Sequence, residues 1–444
     1  MSPTLPVAVI GAGPVGLAAA AELVLRDQDV VVFEAGPGPA AAVRSWGHVR
    51  LFSPWQEVVS PAAAELLDPT GWTPPAPEAY PTGAEWVEHY LQPLADALGT
   101  RVRTGRRVVG VARRDRDLLV GSGRDDQPFV VHVAGPRGTE RVLARAVIDT
   151  SGTLDRPNPL GSEGYPVPGE EQLRGRIRYG MPAPASDVQR YAGRATAVVG
   201  SGASALTALL ALTREPLHAP GSRVVWVLRR PRVGNALGGG AADELAARGA
   251  LGTRVAEAVG AGLVEVVTGF RVAALEEAAD GVRLVATDGR SVTGLDEVVA
   301  VTGFRPDLAF LSEVRLDLDE RLQAPRGLAP SIDPNLHSCG SVDPHGHDVL
   351  EQPDRGLYLA GLKSYGRAPT FLARTGYEQV RSIAAALAGD LAAAAAVELQ
   401  LPDTGVCGGA GLFDEAEASG GCCGAPAAVT PEPVLVSLTS SSSR

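Results

Sequence analysis

Short, unbroken apolar runs recur along this chain, each followed by glycines. Val7-Ala8-Val9-Ile10 is the first. A run of that length before a turn signal predicts a strand buried on both faces, as in a parallel sheet. Gly11 to Leu25 is rich in alanine and predicts a helix. Val30-Val31-Val32-Phe33 predicts a second buried strand, ending at Glu34. The three make a strand–helix–strand unit. The same pattern restarts at Ala197-Val198-Val199, with a helix from Ala203 to about Leu212 and a strand over Val224–Leu228. Val298–Val301 closes the second unit. Gly356–Ala360 predicts a late strand and Thr375–Leu387 a late helix. Residues 84–98 read as helical and 100–148 as short strands. Residues 35–82 are rich in Pro, Gly and Trp without a period, which is long for a passive connection.

The pattern predicts an α/β fold with two Rossmann-like dinucleotide-binding domains, the second inserted into a discontinuous first. The expected boundaries are 1–155 and 310–395 for the first domain and 185–305 for the second. Residues 396–444 turn to Gly, Ala, Pro and Ser and read as a mostly flexible tail.

The first glycine loop is Gly11-Ala12-Gly13-Pro14-Val15-Gly16. In a GxGxxG loop the first glycine makes the tight turn. The second leaves room for a pyrophosphate, and the third lets helix and strand pack closely. Glu34 follows Gly11 by 23 residues, at the end of the next strand. Its carboxylate suits ribose hydroxyls and repels a 2′-phosphate, which points to FAD or NAD at this loop. The second loop is Gly200-Ser201-Gly202-Ala203-Ser204-Ala205. Its next strand ends in Arg229-Arg230 where the first unit has an acid. Two guanidinium groups suit a 2′-phosphate, so this loop is expected to take NADPH.

Charge and composition narrow the class. The formal net charge is -11, against the basic face of a nucleic-acid binder. No apolar run is long enough to span a bilayer, and no basic signal region opens the chain, so a cytoplasmic protein is expected. The four cysteines, Cys339, Cys407, Cys422 and Cys423, form no disulfide framework in a chain of 444 residues.

The two loops in this order resemble the flavin-containing monooxygenase superfamily and its relatives with two dinucleotide folds. Asp149-Thr150-Ser151-Gly152 resembles the first inter-domain linker, and Thr302–Asp307 the "ATGY" return segment. Gly356–Gly361 resembles the late strand that meets FAD. The similarity is closest to bacterial flavin-dependent monooxygenase-like proteins of arsenic-resistance operons. It is carried by Ser45–Trp55, Pro334–Gly340 and Lys363–Phe371. The resemblance implies that Ala35, Trp46, Val109, Ser151, Gly152, Gly303 and Gly361 also lie at the cofactors. It implies hydride transfer from NADPH to FAD, then oxygen transfer through a flavin hydroperoxide to a soft nucleophile: nitrogen, sulfur or an arsenic species.

Arg50, Lys363 and Tyr365 are the expected catalytic residues. Arg50 and Lys363 would hydrogen-bond the flavin ring, and Tyr365 follows the late strand. Trp46, Phe52 and Trp55 offer flat apolar walls. The monooxygenase fingerprint FxGxxxH is missing before the second loop, where Tyr179-Gly180-Met181-Pro182 stands. That keeps two alternatives open: an NADPH-driven reductase or oxidase, and a flavin-bound metalloid-binding or redox-sensing protein. No CxxC occurs in the body of the chain, against a dithiol relay. His337, Cys339, His345 and His347 cluster in sequence and read as a loop beside the flavin without metal. Cys407, Cys422 and Cys423 in the tail are soft ligands suited to trivalent arsenic. The expected partners are a small-molecule substrate and O₂, with a monomeric or homodimeric chain.

Overall fold

A computed structural model describes residues 5–238, 246–335, 342, 344–368 and 371–399. The apolar runs are central strands of two parallel sheets. In the first, the strands lie in the order Leu357–Leu359, Ala146–Asp149, Val7–Ile10, Val30–Phe33, Val102–Arg103. Val7 pairs with Val30 on one side and Ala146 on the other. All four residues of Val7–Ile10 are buried, as a strand covered on both faces requires. The second sheet runs Glu265–Val267, Arg223–Val227, Ala195–Val199, Glu297–Ala300, Ile177–Tyr179, again parallel throughout. Its strands all come from the chain between the first sheet's Ala146–Asp149 and Leu357–Leu359.

The duplication extends beyond the two loops. Each parallel sheet is interrupted before its return strand by a three-stranded antiparallel meander. These meanders are Arg107–Arg113, Phe129–Gly135 and Gly138–Ala144 in the first half, and Val272–Ala278, Gly281–Ala286 and Ser291–Leu295 in the second. The expected α/β class with two Rossmann-like sheets is therefore what the chain adopts.

Helix Pro14–Leu25 follows the first loop and helix Ala203–Leu212 the second. Ala18–Ala21 are fully buried, because small side chains let a helix lie close to strand and neighbouring helix alike. The late helix Ala373–Leu387 packs against Pro14–Leu25. The predicted 84–98 helix is real but not regular. It runs Gly83–Trp86 as α, Val87–Leu91 as π and Gln92–Leu98 as α. Pro93 has no N–H to give, and the wider π turn lies directly before it. Residues 35–82 hold short helices at Ala41–Ser45, Trp55–Val58 and Pro61–Leu67.

Candidate functional site

Gly11 has φ +96°, and a Cβ there would press on Ser151 Cα at 3.0 Å. Gly16 has no room at all, since its Cβ would lie 1.9 Å from the Gly11 oxygen. Gly13 differs: among the described residues, nothing lies within 4 Å of where its Cβ would be. The first and third glycines are thus demanded by the fold, and the second keeps a space clear at the helix N-terminus. Pro14 occupies the first helical turn, where a missing N–H costs nothing. Glu34 Oε2 accepts from the Ala12 N–H at 2.9 Å and Oε1 from the Gly36 N–H at 2.7 Å. The carboxylate is fixed across the loop mouth, and each oxygen keeps a second lone pair for a ligand hydroxyl. Ala35 beside it is exposed.

The linker after Ala146–Asp149 closes the same corner. The Thr150 hydroxyl donates to the Ile10 carbonyl at 2.9 Å. The Ser151 N–H donates to Asp149 Oδ1 at 2.9 Å, and Gly152 turns with φ +70°. Lys363 ties this linker to two other segments. Its ammonium, on a residue only 1% exposed, donates to Ser151 Oγ at 3.0 Å and to the Asp307 carbonyl at 2.6 Å. It also lies 3.3 Å from Asp149 Oδ2 and 5.1 Å from the Phe310 ring centre. Two of its three donors are thus hydrogen-bonded, while Asp149 Oδ2 faces the ammonium as an ion-pair partner without a hydrogen bond. Gly361, at φ +67°, opens that turn directly against Val15, which a Cβ would meet at 3.2 Å.

The second loop repeats the arrangement. Gly200 has φ +144°, and its Cβ would collide with the Val301 oxygen at 2.4 Å. Nothing among the described residues comes within 4 Å of a Cβ on Gly202. Ser201 precedes that glycine. Ala203 begins the helix that carries Ser204 and the buried Ala205. Arg229 is exposed and Arg230 half-buried just past strand Arg223–Val227. Burial and the adjacent Arg229 charge lower the Arg230 pKa. Two crowded cations at a strand end gain most from an anion between them.

The two crossings between the sheets are zipped together. Asn158 N–H donates to the Gly303 carbonyl at 2.8 Å, and Thr302 Oγ1 donates to the Asn158 carbonyl at 2.7 Å. Arg305 Nε reaches Asn158 Oδ1 at 2.9 Å, and Arg156 pairs with Asp307 at 2.9 Å. Gly303, φ +93°, sits within this zipper. The segment 46–55 also spans both halves. Trp46, Leu51 and Trp55 pack on the first core, while Phe52 packs on the second.

The Arg50 guanidinium donates to the Tyr80 carbonyl and lies 3.8 Å from Glu85, on an exposed turn. Tyr365 is buried, 5.0 Å from the Phe371 ring and 5.9 Å from His345. Burial raises its pKa well above the ordinary phenol value. Val109 is 47% exposed at a bulge of its strand. His337, Cys339, Cys407, Cys422 and Cys423 lie outside the described residues. Among the described residues no group of three or more His, Cys, Asp or Glu could hold a metal ion, and no helix is long and apolar enough to cross a membrane.

The sequence alone assigned no individual role to Asp149, Ser364 or Gln379. The signal was available for the last, a glutamine on the face of helix Ala373–Leu387 that also carries the apolar Val380 and Ile383.

With this geometry in place, comparison with known proteins decides the family. The sequence profile of the pyridine nucleotide-disulphide oxidoreductases matches residues 8–326. The chain belongs to that family. It is an enzyme, an oxidoreductase of the pyridine nucleotide class. No curated protein matches the chain.

Solved structures share the fold at low identity. The bacillithiol disulfide reductase Bdr of Bacillus cereus is 21% identical with a TM-score of 0.65, covering 87% of this chain and 99% of its own. A thioredoxin reductase of T. acidophilum is 16% identical, TM-score 0.53, over 87% and 98%. A mutant flavin monooxygenase of Stenotrophomonas maltophilia is 20% identical, TM-score 0.51, over 87% and 98%. The span matching this disulphide-oxidoreductase family, residues 8–326, contains no cysteine in this chain.

Proposed function

We propose that this oxidoreductase binds FAD at the Gly11 loop and NADPH at the Gly200 loop, and oxygenates a soft nucleophile (nitrogen, sulfur or an arsenic species). The observation that carries the cofactor assignment is the contrast between two equivalent strand ends, Glu34 at one and Arg229-Arg230 at the other. An open cradle at Gly13 and another at Gly202 support a pyrophosphate at each. FAD, when bound, supplies hydride acceptance and reaction with O₂; the chain supplies orientation and exclusion of water. Glu34 holds ribose hydroxyls, and the helix N–H groups after Gly13 face the phosphates. Arg229 and Arg230 hold the 2′-phosphate of NADPH. Lys363 fixes the Asp149–Ser151 linker and the Gly361 turn beside the flavin. Tyr365 and Trp46 wall that side, and Arg50 steadies the turn that carries Trp46. In the tail, Cys407, Cys422 and Cys423 are proposed as ligands for a thiophilic metalloid.

The cysteine-free span favours electron delivery from flavin straight to a small acceptor, with no internal dithiol step. That observation equally supports a second reading, an NADPH-driven reductase or oxidase without oxygen insertion. Mixing the NADPH-reduced protein with O₂ in a stopped-flow cell separates them. Oxygenation predicts a new absorbance band between the reduced and oxidised spectra, whose decay a suitable nucleophile accelerates. Direct return to the oxidised spectrum supports the second reading.

A further inference from the structure

The turn that opens with Gly361 is backed by a buried polar chain whose hydrogen-bond directions are all determined. The Gly361 N–H, which can only donate, reaches Gln379 Oε1 at 2.7 Å. The Ser364 hydroxyl gives its proton to the Gly361 carbonyl at 2.8 Å, leaving its oxygen to accept. Gln379 Nε2 therefore donates to Ser364 Oγ at 2.9 Å. Both anchors orient the amide the same way. Gln379 and Ser364 are fully buried, so neither can turn to water instead. The remaining hydrogen on Gln379 Nε2 points at His345 Nε2, 2.7 Å away. An amide nitrogen has no lone pair to accept with. His345 Nε2 must then be bare.

We infer that His345 is a positioning residue, locked as the neutral Nδ1–H tautomer, that supports the Gly361–Tyr365 turn through Gln379 and Ser364. The turn carries Lys363 to Asp149 and lies against Val15 of the first nucleotide helix. The His345 ring also packs near Tyr365. Protonating Nε2 would set N–H against N–H and break the chain of bonds at its outer end. His345 thereby makes the turn sensitive to acid. Among the described residues, the ionisable groups on the elements packed around His345 have partners of their own. Lys363 is paired with Asp149, Arg374 faces Glu57, and Arg381 is held by Glu378 with Glu22 near it. On its own segment His347 meets Ser382, and Asp348 is exposed. The Tyr365 hydroxyl, raised by burial, is bonded to Thr375. The functional consequence rests on flavin lying beside Gly361; the tautomer does not.

Histidine-selective ¹⁵N labelling of the full chain reads the tautomer directly, with the signal assigned by its loss in His345→Gln. The expected result is a neutral imidazole at pH 7 carrying its proton on Nδ1. Gln379→Glu replaces the donor with an acceptor while leaving an oxygen for the Gly361 N–H. It should move the proton to Nε2 and raise the His345 titration midpoint by at least about one pH unit, since a nearby carboxylate favours imidazolium. The acid limb of NADPH oxidation should shift with it. A wild-type imidazole protonated on Nε2, or equal midpoints in wild type and a folded Gln379→Glu, overturns the inference. Should Gln379→Glu not fold, the wild-type tautomer decides alone. Failure of the flavin assignment would leave the tautomer intact and remove only the effect on NADPH oxidation.

Discussion

Lys363 and Asp149 face each other in the interior, each side chain with no exposed surface. Removing one partner of such a pair leaves an uncompensated buried charge, which costs about 3–5 kcal/mol. Lys363→Met should lower unfolding stability in urea by that amount. Lys363→Met combined with Asp149→Asn should recover most of it. A loss below about 1 kcal/mol in the single variant would mean the pair does not hold the linker. At the second loop, charge-assisted hydrogen bonds contribute about 1.5–3 kcal/mol each. Arg229→Ala with Arg230→Ala should therefore raise the KM for NADPH at least about tenfold and leave that for NADH nearly unchanged. An equal rise for both would remove the 2′-phosphate assignment. The position of both arginines just past a strand was legible, because the apolar run Val224–Leu228 marks where that strand ends. The locations of Arg50 and Lys363 were not, since a charge in sequence carries no sign of what it will face.

Elements carry a sharper contrast among the glycines. A methyl at Gly13 or Gly202 meets no atom of the described residues within 4 Å, whereas one at Gly16 meets backbone at 1.9 Å. Gly13→Ala should keep the melting temperature of the ligand-free protein and lose bound flavin, read from visible absorbance. Gly202→Ala should likewise keep stability and weaken NADPH binding. Gly16→Ala should lower the melting temperature itself. Flavin retained in Gly13→Ala would show that the cradle is not used. The strands and helices of both loops were legible because unbroken apolar runs with glycine punctuation have few other solutions. The bounds of helix Ala203–Leu212 match the pattern. The π turn at Val87–Leu91 did not show, because it depends on which carbonyl a displaced N–H finds. The bridging of 46–55 was hidden for a different reason. Leu51 and Phe52 are neighbours in sequence, yet they serve two cores that only the tertiary fold brings together.

At the scale of the whole molecule, Arg124 pins the first meander to the late strand's approach. Its Nε and Nη2 reach the two oxygens of Asp354 at 2.8 Å each, and Asp354 also accepts from the Arg315 N–H at 2.9 Å. Burial works to raise the Asp354 pKa, but the hydrogen bonds from Arg124 and Arg315 outweigh it and hold it below the ordinary range. A depressed carboxyl contributes stability above its unfolded pKa of about 3.9, and that contribution is lost as pH falls through the lower folded value. Asp354→Asn should therefore be less stable at neutral pH, with the difference shrinking as the pH drops below about 4. A difference that stays constant across that range would show the carboxylate charge to be irrelevant.

Two unequal nucleotide sites that exchange electrons are what the proposed function requires of the whole molecule. Anaerobic titration of the flavin-loaded protein tests it in one step. NADPH is expected to bleach the flavin absorbance stoichiometrically and rapidly. NADH should do so only at much higher concentration, and the Arg229→Ala, Arg230→Ala variant should treat the two alike. A purified, folded protein that takes up no FAD, or whose flavin stays oxidised under excess NADPH, would rule out electron transfer between two such sites.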